Sequence, residues 1–207
     1  MTANSAKAKA SLAMREYDLI ADWYARDRHP ANGRPELETF MASLPPRAAV
    51  LDVGCGNGIP ITRALLDAGC RVLGVDSSPR MLDRFQQNCP GTPFLCCPIQ
   101  ACALDARAFD AAIAWGVLFH MEHAEQRKAI ATVASALKPG GVWLFTAGDE
   151  EGSIQGEPMN GVPFRYWSFS VDGYRALLQE NGLTLVDMHR DTGQNIYYLA
   201  RKAGDAE

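Results

Sequence analysis

The chain has 207 residues, of which 47% are hydrophobic and 21% are charged. This length is enough for one folded domain with a full core, and the composition excludes long disordered or low-complexity tracts. The formal net charge of −4 lacks the basic excess that usually accompanies binding to nucleic acid or to an anionic membrane. We therefore expect partners that include neither nucleic acid nor a membrane.

The N-terminal segment, residues 1–11, carries two lysines among small residues and is followed by no apolar stretch. This pattern predicts a disordered tail rather than a signal peptide. No run reaches the roughly 18 apolar residues of a membrane span. We expect a cytoplasmic protein with a single domain over residues 12–207.

Six cysteines are spread over the chain without a C-x-x-C pair or a histidine at ligand spacing. Zinc sites in short motifs have such spacing. Several of these cysteines stand in apolar surroundings, where a free thiol packs as a small hydrophobic group. The sequence therefore predicts reduced cysteines and no metal site.

Apolar spacing predicts a helix over residues 12–28, ended by His29-Pro30, and a second helix over 36–44, which together form an N-terminal helical cap over 12–45. Short apolar runs then alternate with helical patterns. The predicted strands are 49–53, 71–75, 94–97, 111–115 and 142–146, and the predicted helices are 61–68, 79–88 and 125–137. This alternation is typical of an α/β fold with a doubly wound, mostly parallel sheet and helices on both faces.

The last third of the chain predicts a helix over 171–181 and two adjacent strands over 183–189 and 196–201. These strands add an antiparallel C-terminal hairpin at one edge and bring the sheet to seven strands. Between them and the fifth strand, residues 148–170 contain four glycines and little periodicity. A long segment of this kind predicts a lid or substrate loop.

A glycine-rich turn, residues 54–58, follows the first buried strand. Ligands of open α/β sheets bind at such strand ends, and glycines allow the backbone to approach them closely. The nicotinamide fingerprint G-x-G-x-x-G would require a glycine where Ile59 stands. Asp52, two residues before Gly54, is a carboxylate in an apolar strand and needs hydrogen-bond donors or a cation nearby.

Four segments, in order and at the right spacing, resemble the motifs of the class I S-adenosylmethionine-dependent methyltransferases. Residues 50–58 resemble the first motif, 72–82 the acidic second-strand motif, 109–116 the fourth strand, and 137–145 the turn into the fifth strand. The resemblance implies S-adenosylmethionine as cofactor and S-adenosylhomocysteine as product. It also implies methyl transfer to an oxygen or nitrogen nucleophile, and we expect the acceptor to be a small molecule.

The resemblance also implies a set of cofactor-binding residues. In it, Asp76 accepts hydrogen bonds from the ribose hydroxyls and Met81 packs against the adenine. The sequence departs from the family after the third strand, where the usual Asp is missing and either Gln100 or Ile99 with a backbone group would meet the adenine. The full set is Asp52, Gly54, Cys55, Gly56, Gly58, Asp76, Ser77, Met81, Ile99, Gln100, Trp115 and Gly116.

The acceptor side is less defined, because methyl transfer mainly requires that the nucleophile is positioned and water is excluded. His120 is a candidate general base with a pKa near working pH, or else it caps a helix or fills a polar gap beside the cofactor. Residues 17–24 resemble the helix with which small-molecule members cover the cofactor. Tyr17, Tyr24, Tyr166 and Trp167 are the predicted substrate-pocket residues.

Two other functions stay open on the sequence. A nicotinamide-dependent oxidoreductase has a similar sheet, but Ile59 and the absence of a Tyr-x-x-x-Lys pair count against it. A catalytically silent S-adenosylmethionine-binding protein would keep the glycine turn without turnover.

Overall fold

The computed structural model describes residues 12–27, 34–191, 193 and 195–205. Its strands are β1 (Ala49–Val53), β2 (Arg71–Asp76), β3 (Phe94–Cys96), β4 (Phe109–Ala114), β5 (Leu137–Ala147), β6 (Gly152–Gln155), β7 (Arg165–Ser168), β8 (Leu183–Arg190) and β9 (Ile196–Lys202). Its helices are α1 (Leu12–Asp27), α2 (Arg34–Ala42), α3 (Ile61–Asp67), α4 (Pro79–Asn88), α5 (His123–Ala136) and α6 (Val171–Glu180), with 3₁₀ turns at Ile99–Ala101 and Leu118–His120.

Seven strands form one sheet in the order β3-β2-β1-β4-β5-β9-β8. The first five strands run parallel, and β9 and β8 add an antiparallel hairpin at the edge. The predicted α/β fold with a mostly parallel sheet is confirmed. The strand order reverses between β1 and β4, so the loops after β1, β2 and β4 meet at one end of the sheet, where ligands of such folds bind.

The central strands are apolar because both of their faces are covered. In β1, Leu51 and Val53 belong to the core on one side of the sheet, and Val50 belongs to the core on the other side. Such continuous apolar strands are typical of parallel sheets between two layers of helices.

The segment 148–170 contains regular structure that the sequence did not predict. Strands β6 and β7 pair antiparallel as a separate two-stranded sheet, with Gly152 opposite Ser168 and Gln155 opposite Arg165. All four residues of β6 are exposed, so no apolar alternation marks it in the sequence. The segment is therefore a hairpin over the end of the main sheet rather than an irregular loop.

The expectation of six reduced cysteines is wrong for one pair. A disulfide joins Cys97 to Cys102, whose Cα atoms lie 5.8 Å apart. The 3₁₀ turn at Ile99–Ala101 folds the chain back and brings the two residues within bridging distance. The other four cysteines, Cys55, Cys70, Cys89 and Cys96, are free.

The predicted tail 1–11 and the predicted helix end at His29-Pro30 lie outside the described residues. Within the described part of the chain, no helix is long and apolar enough to cross a membrane.

Candidate active site

A cavity opens at the carboxyl ends of β1, β2 and β4, and we call it the main cavity. Its wall brings together most of the predicted residues: Gly54, Gly56, Asp76, Ser77, Met81, Ile99, Gln100, Trp115 and Gly116, with Tyr17, Tyr24 and His120. Since these residues are spread over half of the chain, the parallel sheet is what gathers them.

The glycine turn fits closely between its neighbours. Gly54 has a φ of 68°, and a Cβ there would lie 2.2 Å from a methyl group of Val117. The N–H groups of Gly54 and Cys55 both donate to the carbonyl of Val75, at 2.7 and 3.1 Å. Gly56 has a φ of 53° and open space where a Cβ would be, so its backbone faces the main cavity.

Asp76 ends β2 with its carboxylate fixed by backbone donors. The N–H groups of Gly56 and Ser78 donate to its two oxygens, each at 2.8 Å. Burial raises the pKa of Asp76, and the hydrogen bonds from Ser78, Gly56 and Ser77 oppose that rise. A carboxylate has about four acceptor sites. These backbone donors do not use all of the sites, so the carboxylate can still accept a hydrogen bond from a ligand.

Gln100, in the wall of the main cavity after β3, has a buried acceptor atom without a hydrogen-bond partner among the described residues. Gln100 donates through Nε2 to Glu125 Oε1 at 3.1 Å, while its own Oε1 is buried and has no hydrogen-bond partner in the described part of the chain. Ile99 beside it is only 3% exposed. Buried polar atoms are normally satisfied, so this oxygen fits a ligand that brings an N–H donor.

Three predicted cofactor residues lie away from the main cavity wall. Asp52 does not line the main cavity; it is buried and accepts a 2.5 Å hydrogen bond from Thr62 Oγ1 on α3. Cys55 packs against Phe85 on α4, and burial raises the pKa of its thiol. At Gly58 a Cβ would lie 2.7 Å from Cys89 Sγ, so this glycine is required by packing against α4.

His120 is neutral in the fold. Its Nε2 lies 2.9 Å from the Tyr17 hydroxyl, and its Nδ1 is buried without a hydrogen-bond partner among the described residues. Burial lowers the pKa of His120 to about 3. An imidazole with so low a pKa is a weak base, because the protein disfavours its charged form.

Helix α1 is held over the main cavity by contacts with the start of α4. Asp18 accepts a hydrogen bond from the Ser78 hydroxyl, and Asp22 forms ion pairs with Arg80 and Arg84. These contacts hold the α1 face that carries Tyr17 and Tyr24 against the cavity wall.

A second cavity, of about 560 Å³, lies under the β6–β7 hairpin, and we call it the hairpin cavity. Phe119 and Tyr166 line it with their rings 5.5 Å apart, and Tyr166 also contacts His120 at 5.2 Å. The two cavities therefore adjoin, because Phe119 and Tyr166 of the hairpin cavity contact His120 of the main cavity. Trp167 lines neither of them, because consecutive strand residues point to opposite faces.

Acidic residues stand at the hairpin cavity. Asp149 is paired with Arg190 at 2.6 Å, and Glu150 and Glu151 are exposed. Among the described residues, no group of three or more His, Cys, Asp or Glu side chains is placed to hold a metal ion.

Sequence reasoning missed six residues of the main cavity wall: Val53, Val75, Cys97, Pro98, Val117 and Met121. Their side chains are not charged and form no recognisable motif, so nothing in the sequence marks them. They come together only because the ends of neighbouring strands lie side by side in the folded sheet. It also missed Gln126, whose Nε2 donates at 2.9 Å to the carbonyls of Met121 and Trp167.

Comparison with known proteins agrees with this geometry. Residues 50–141 match the family model of a methyltransferase domain. The fold is similar to the 1,6-didemethyltoxoflavin-N1-methyltransferase of Burkholderia thailandensis, solved with its acceptor and S-adenosylhomocysteine, at 25% identity and a TM-score of 0.70 over 92% of this chain and 88% of that chain. The chain contains a methyltransferase domain and shares its fold with the class I S-adenosylmethionine-dependent methyltransferases. An S-adenosylmethionine-dependent methyltransferase of Mesorhizobium loti shares the fold at 19% identity, with a TM-score of 0.67 over 83% of this chain and 98% of that chain.

The main cavity of this methyltransferase fits S-adenosylmethionine. The remaining acceptor capacity of Asp76 suits a ribose hydroxyl, and the unpartnered Oε1 of Gln100 suits an amino group on the adenine. The exposed backbone of Gly56 leaves room for the methionine part.

Curated relatives of the methyltransferase are named for tRNA. One is the tRNA U34 carboxymethyltransferase of Saccharophagus degradans, 35% identical over 44% of this chain and 30% of that protein. Another is the tRNA (carboxymethyluridine(34)-5-O)-methyltransferase of Mus musculus, 32% identical over 62% of this chain and 18% of that protein. The chain thus spans about a third or less of the length of these relatives.

These relatives overturn the expected partners. The expectation of a small-molecule acceptor and no nucleic acid is wrong, since the similar proteins are named for a tRNA nucleotide. The expectation used net charge as its criterion, and a net charge does not record where on the surface the charges lie.

Proposed function

We propose that this methyltransferase transfers the methyl group of S-adenosylmethionine to an oxygen or nitrogen atom of a modified uridine at position 34 of tRNA. The observation that carries the proposal is that relatives with two different named activities share this one nucleotide.

The hairpin cavity supports an acceptor of this kind. A volume of about 560 Å³ is in the range of pockets that enclose a small organic group. Single-stranded RNA bases are typically recognised by stacking on aromatic side chains, and Phe119 and Tyr166 offer such rings next to the main cavity. In this proposal the segment 148–170 forms the substrate lid, with Tyr166 as its contact residue.

Between the two activities for which the relatives are named, the proposal takes methyl transfer. It rests for this on the match of residues 50–141 to a methyltransferase domain.

The proposed roles of the protein groups are to position the acceptor and exclude water. S-adenosylmethionine supplies a methyl group already activated on a sulfonium, so no nucleophilic side chain is needed. Tyr17 and Tyr24 on α1 close the main cavity, and His120 holds Tyr17 in place through its Nε2. Because its pKa is about 3, His120 acts as a positioning residue, and the acceptor atom arrives unprotonated or loses its proton to water.

The test uses S-adenosylmethionine labelled in its methyl group and total tRNA. After incubation the tRNA is digested, and the nucleosides are separated and identified by mass spectrometry. We expect label in one modified uridine derived from position 34. The Asp76→Asn variant should lose this transfer, and Asp83→Asn, on the outer side of α4, should keep it. Label that reaches only small metabolites of a cell extract, and no tRNA, would overturn the proposal.

A further inference from the structure

A disulfide encloses the adenine side of the main cavity. We propose that Cys97 and Cys102 form a redox-active pair that controls how tightly the methyltransferase binds its cofactor. The proposal concerns cofactor affinity alone, so it does not depend on which acceptor is methylated.

The first cysteine of the disulfide, Cys97, is held to the cavity wall by a backbone hydrogen bond. The N–H of Cys97 donates to the carbonyl of Asp76 at 3.0 Å, which continues the pairing of β3 with β2 by one residue. Cys97 thus has its backbone tied to the residue whose carboxylate faces the ribose position. A restraint on Cys97 therefore acts directly on the cavity wall.

The ring closed by the bridge consists largely of that wall. Between the two cysteines, Pro98, Ile99 and Gln100 all line the main cavity. The turn is a single 3₁₀ turn, with hydrogen bonds of 2.9 Å from Ala101 to Pro98 and 3.2 Å from Cys102 to Ile99. One such turn is weak on its own, so the covalent link limits its alternative conformations.

Once the bridge opens, only non-covalent contacts hold the turn. Gln100 is anchored through its hydrogen bond to Glu125, and Ile99 is anchored by burial in the core. The Cys102 end keeps its N–H bond to Ile99, the contact of its Sγ with the Cys97 carbonyl at 3.6 Å, and its packing against the core. Reduction allows the cavity wall to adopt more conformations. Because binding of the cofactor must restrict the wall to one of them again, reduction lowers the affinity for the cofactor.

The pair is also reachable by small thiols. Both cysteines are half-buried rather than enclosed, whereas Cys55 and Cys89 are buried. A dithiol reductant attacks one sulfur as a thiolate and forms a mixed disulfide. Its second thiolate then releases the other cysteine. Two electrons and two protons pass to Cys97 and Cys102, and the reductant becomes a cyclic disulfide.

The experiment compares the oxidised protein with the protein reduced by dithiothreitol. Peptide mapping by mass spectrometry first verifies the 97–102 link and its loss. Calorimetric titration with S-adenosylhomocysteine then gives the two affinities, and we expect about fivefold weaker binding or more after reduction. Equal affinities of the two forms, or an unlinked pair in protein purified in air, would overturn the proposal.

Two variants separate the bridge from general effects of reduction. Cys102→Ser lies outside the main cavity wall and should show the weak affinity with and without dithiothreitol. Cys96→Ser removes the exposed neighbouring thiol and should keep the full redox response. Thermal unfolding of each variant verifies that it is folded. If Cys102→Ser binds as tightly as the oxidised protein, the bridge does not control affinity.

Discussion

At the residue scale, two aspartates in apolar strands show how context decides a role. Asp52 and Asp76 both end or interrupt buried strands. Asp52 accepts a hydrogen bond from Thr62 and links β1 to α3, away from the main cavity wall. Asp76 is held by backbone N–H groups and keeps acceptor sites toward the main cavity. A buried carboxylate is tolerated when hydrogen-bond donors surround it. Whether it can bind a ligand depends on the acceptor sites that those donors leave unused.

His120 gives a prediction for the dependence of stability on pH. Its pKa is about 3 in the fold and about 6.5 in the unfolded chain, so below pH 6.5 the unfolded state binds a proton that the folded state does not. The stability linked to His120 is therefore present above about pH 6.5 and is lost as the pH falls toward 3.

The comparison is between the wild type and His120→Asn, unfolded by urea at several pH values. Between about pH 6.5 and pH 4.5 the wild type should lose about 2 kcal/mol more of its free energy of unfolding than the variant. His123 and His189 are present in both proteins and cancel in the difference. Parallel pH profiles would contradict a lowered pKa of His120 in the fold.

At the element scale, the β6–β7 hairpin depends on one glutamine of α5. Gln126 is fully buried and donates to the carbonyls of Met121 and Trp167. It also accepts a 2.7 Å hydrogen bond from the Tyr174 hydroxyl on α6. One side chain thus joins the end of the Leu118–His120 turn, the hairpin and α6, and the first two of these elements line the hairpin cavity.

Gln126→Leu tests this joint. The substitution has a similar size and leaves two carbonyls and one hydroxyl without their partner, so we expect a loss of about 3 kcal/mol in the free energy of unfolding. Gln179→Leu, at an exposed position of α6, should change it by less than about 0.5 kcal/mol. Urea unfolding measures the free energy of unfolding of both variants. Equal effects would mean that the hydrogen bonds of Gln126 do not stabilise the contact between the hairpin, the turn and α6.

At the scale of the whole molecule, cofactor binding should stabilise the fold. The main cavity is built from β1, β2, β4 and α1, so a ligand there bridges elements from both halves of the chain. S-adenosylhomocysteine at about 100 times its Kd should add about 2.7 kcal/mol. For a chain of this length that raises Tm by about 5–11 °C.

Differential scanning fluorimetry measures this rise and the matched variants. Asp76→Asn should lose most of the rise, because it loses charge-assisted hydrogen bonds to the ribose. Asp83→Asn should keep it, and NAD should produce no rise in any of the three proteins. A rise with NAD and none with S-adenosylhomocysteine would contradict the cofactor assignment.

Net charge is also a property of the whole molecule, and the partner prediction based on it was wrong. A net charge of −4 suggested that nucleic acid is excluded, whereas the relatives are named for tRNA. Several acidic groups are committed to local ion pairs, such as Asp22 with Arg80 and Arg84, or Asp149 with Arg190. Charges that are neutralised locally say little about the surface that meets a partner.

The sequence by itself determined the sheet, the glycine turn and the acidic end of β2, because apolar runs and glycines act over a few neighbouring residues. Gly54 and Gly56 were predictable for that reason and Asp76 through the resemblance of its strand to a family motif, and all three line the main cavity. Only the tertiary structure decided that Gly58 serves packing, that Cys97 and Cys102 are joined, and that exposed β6 pairs with β7. Those outcomes depend on distances between residues far apart in the chain or on a fold-back that leaves no periodic signal.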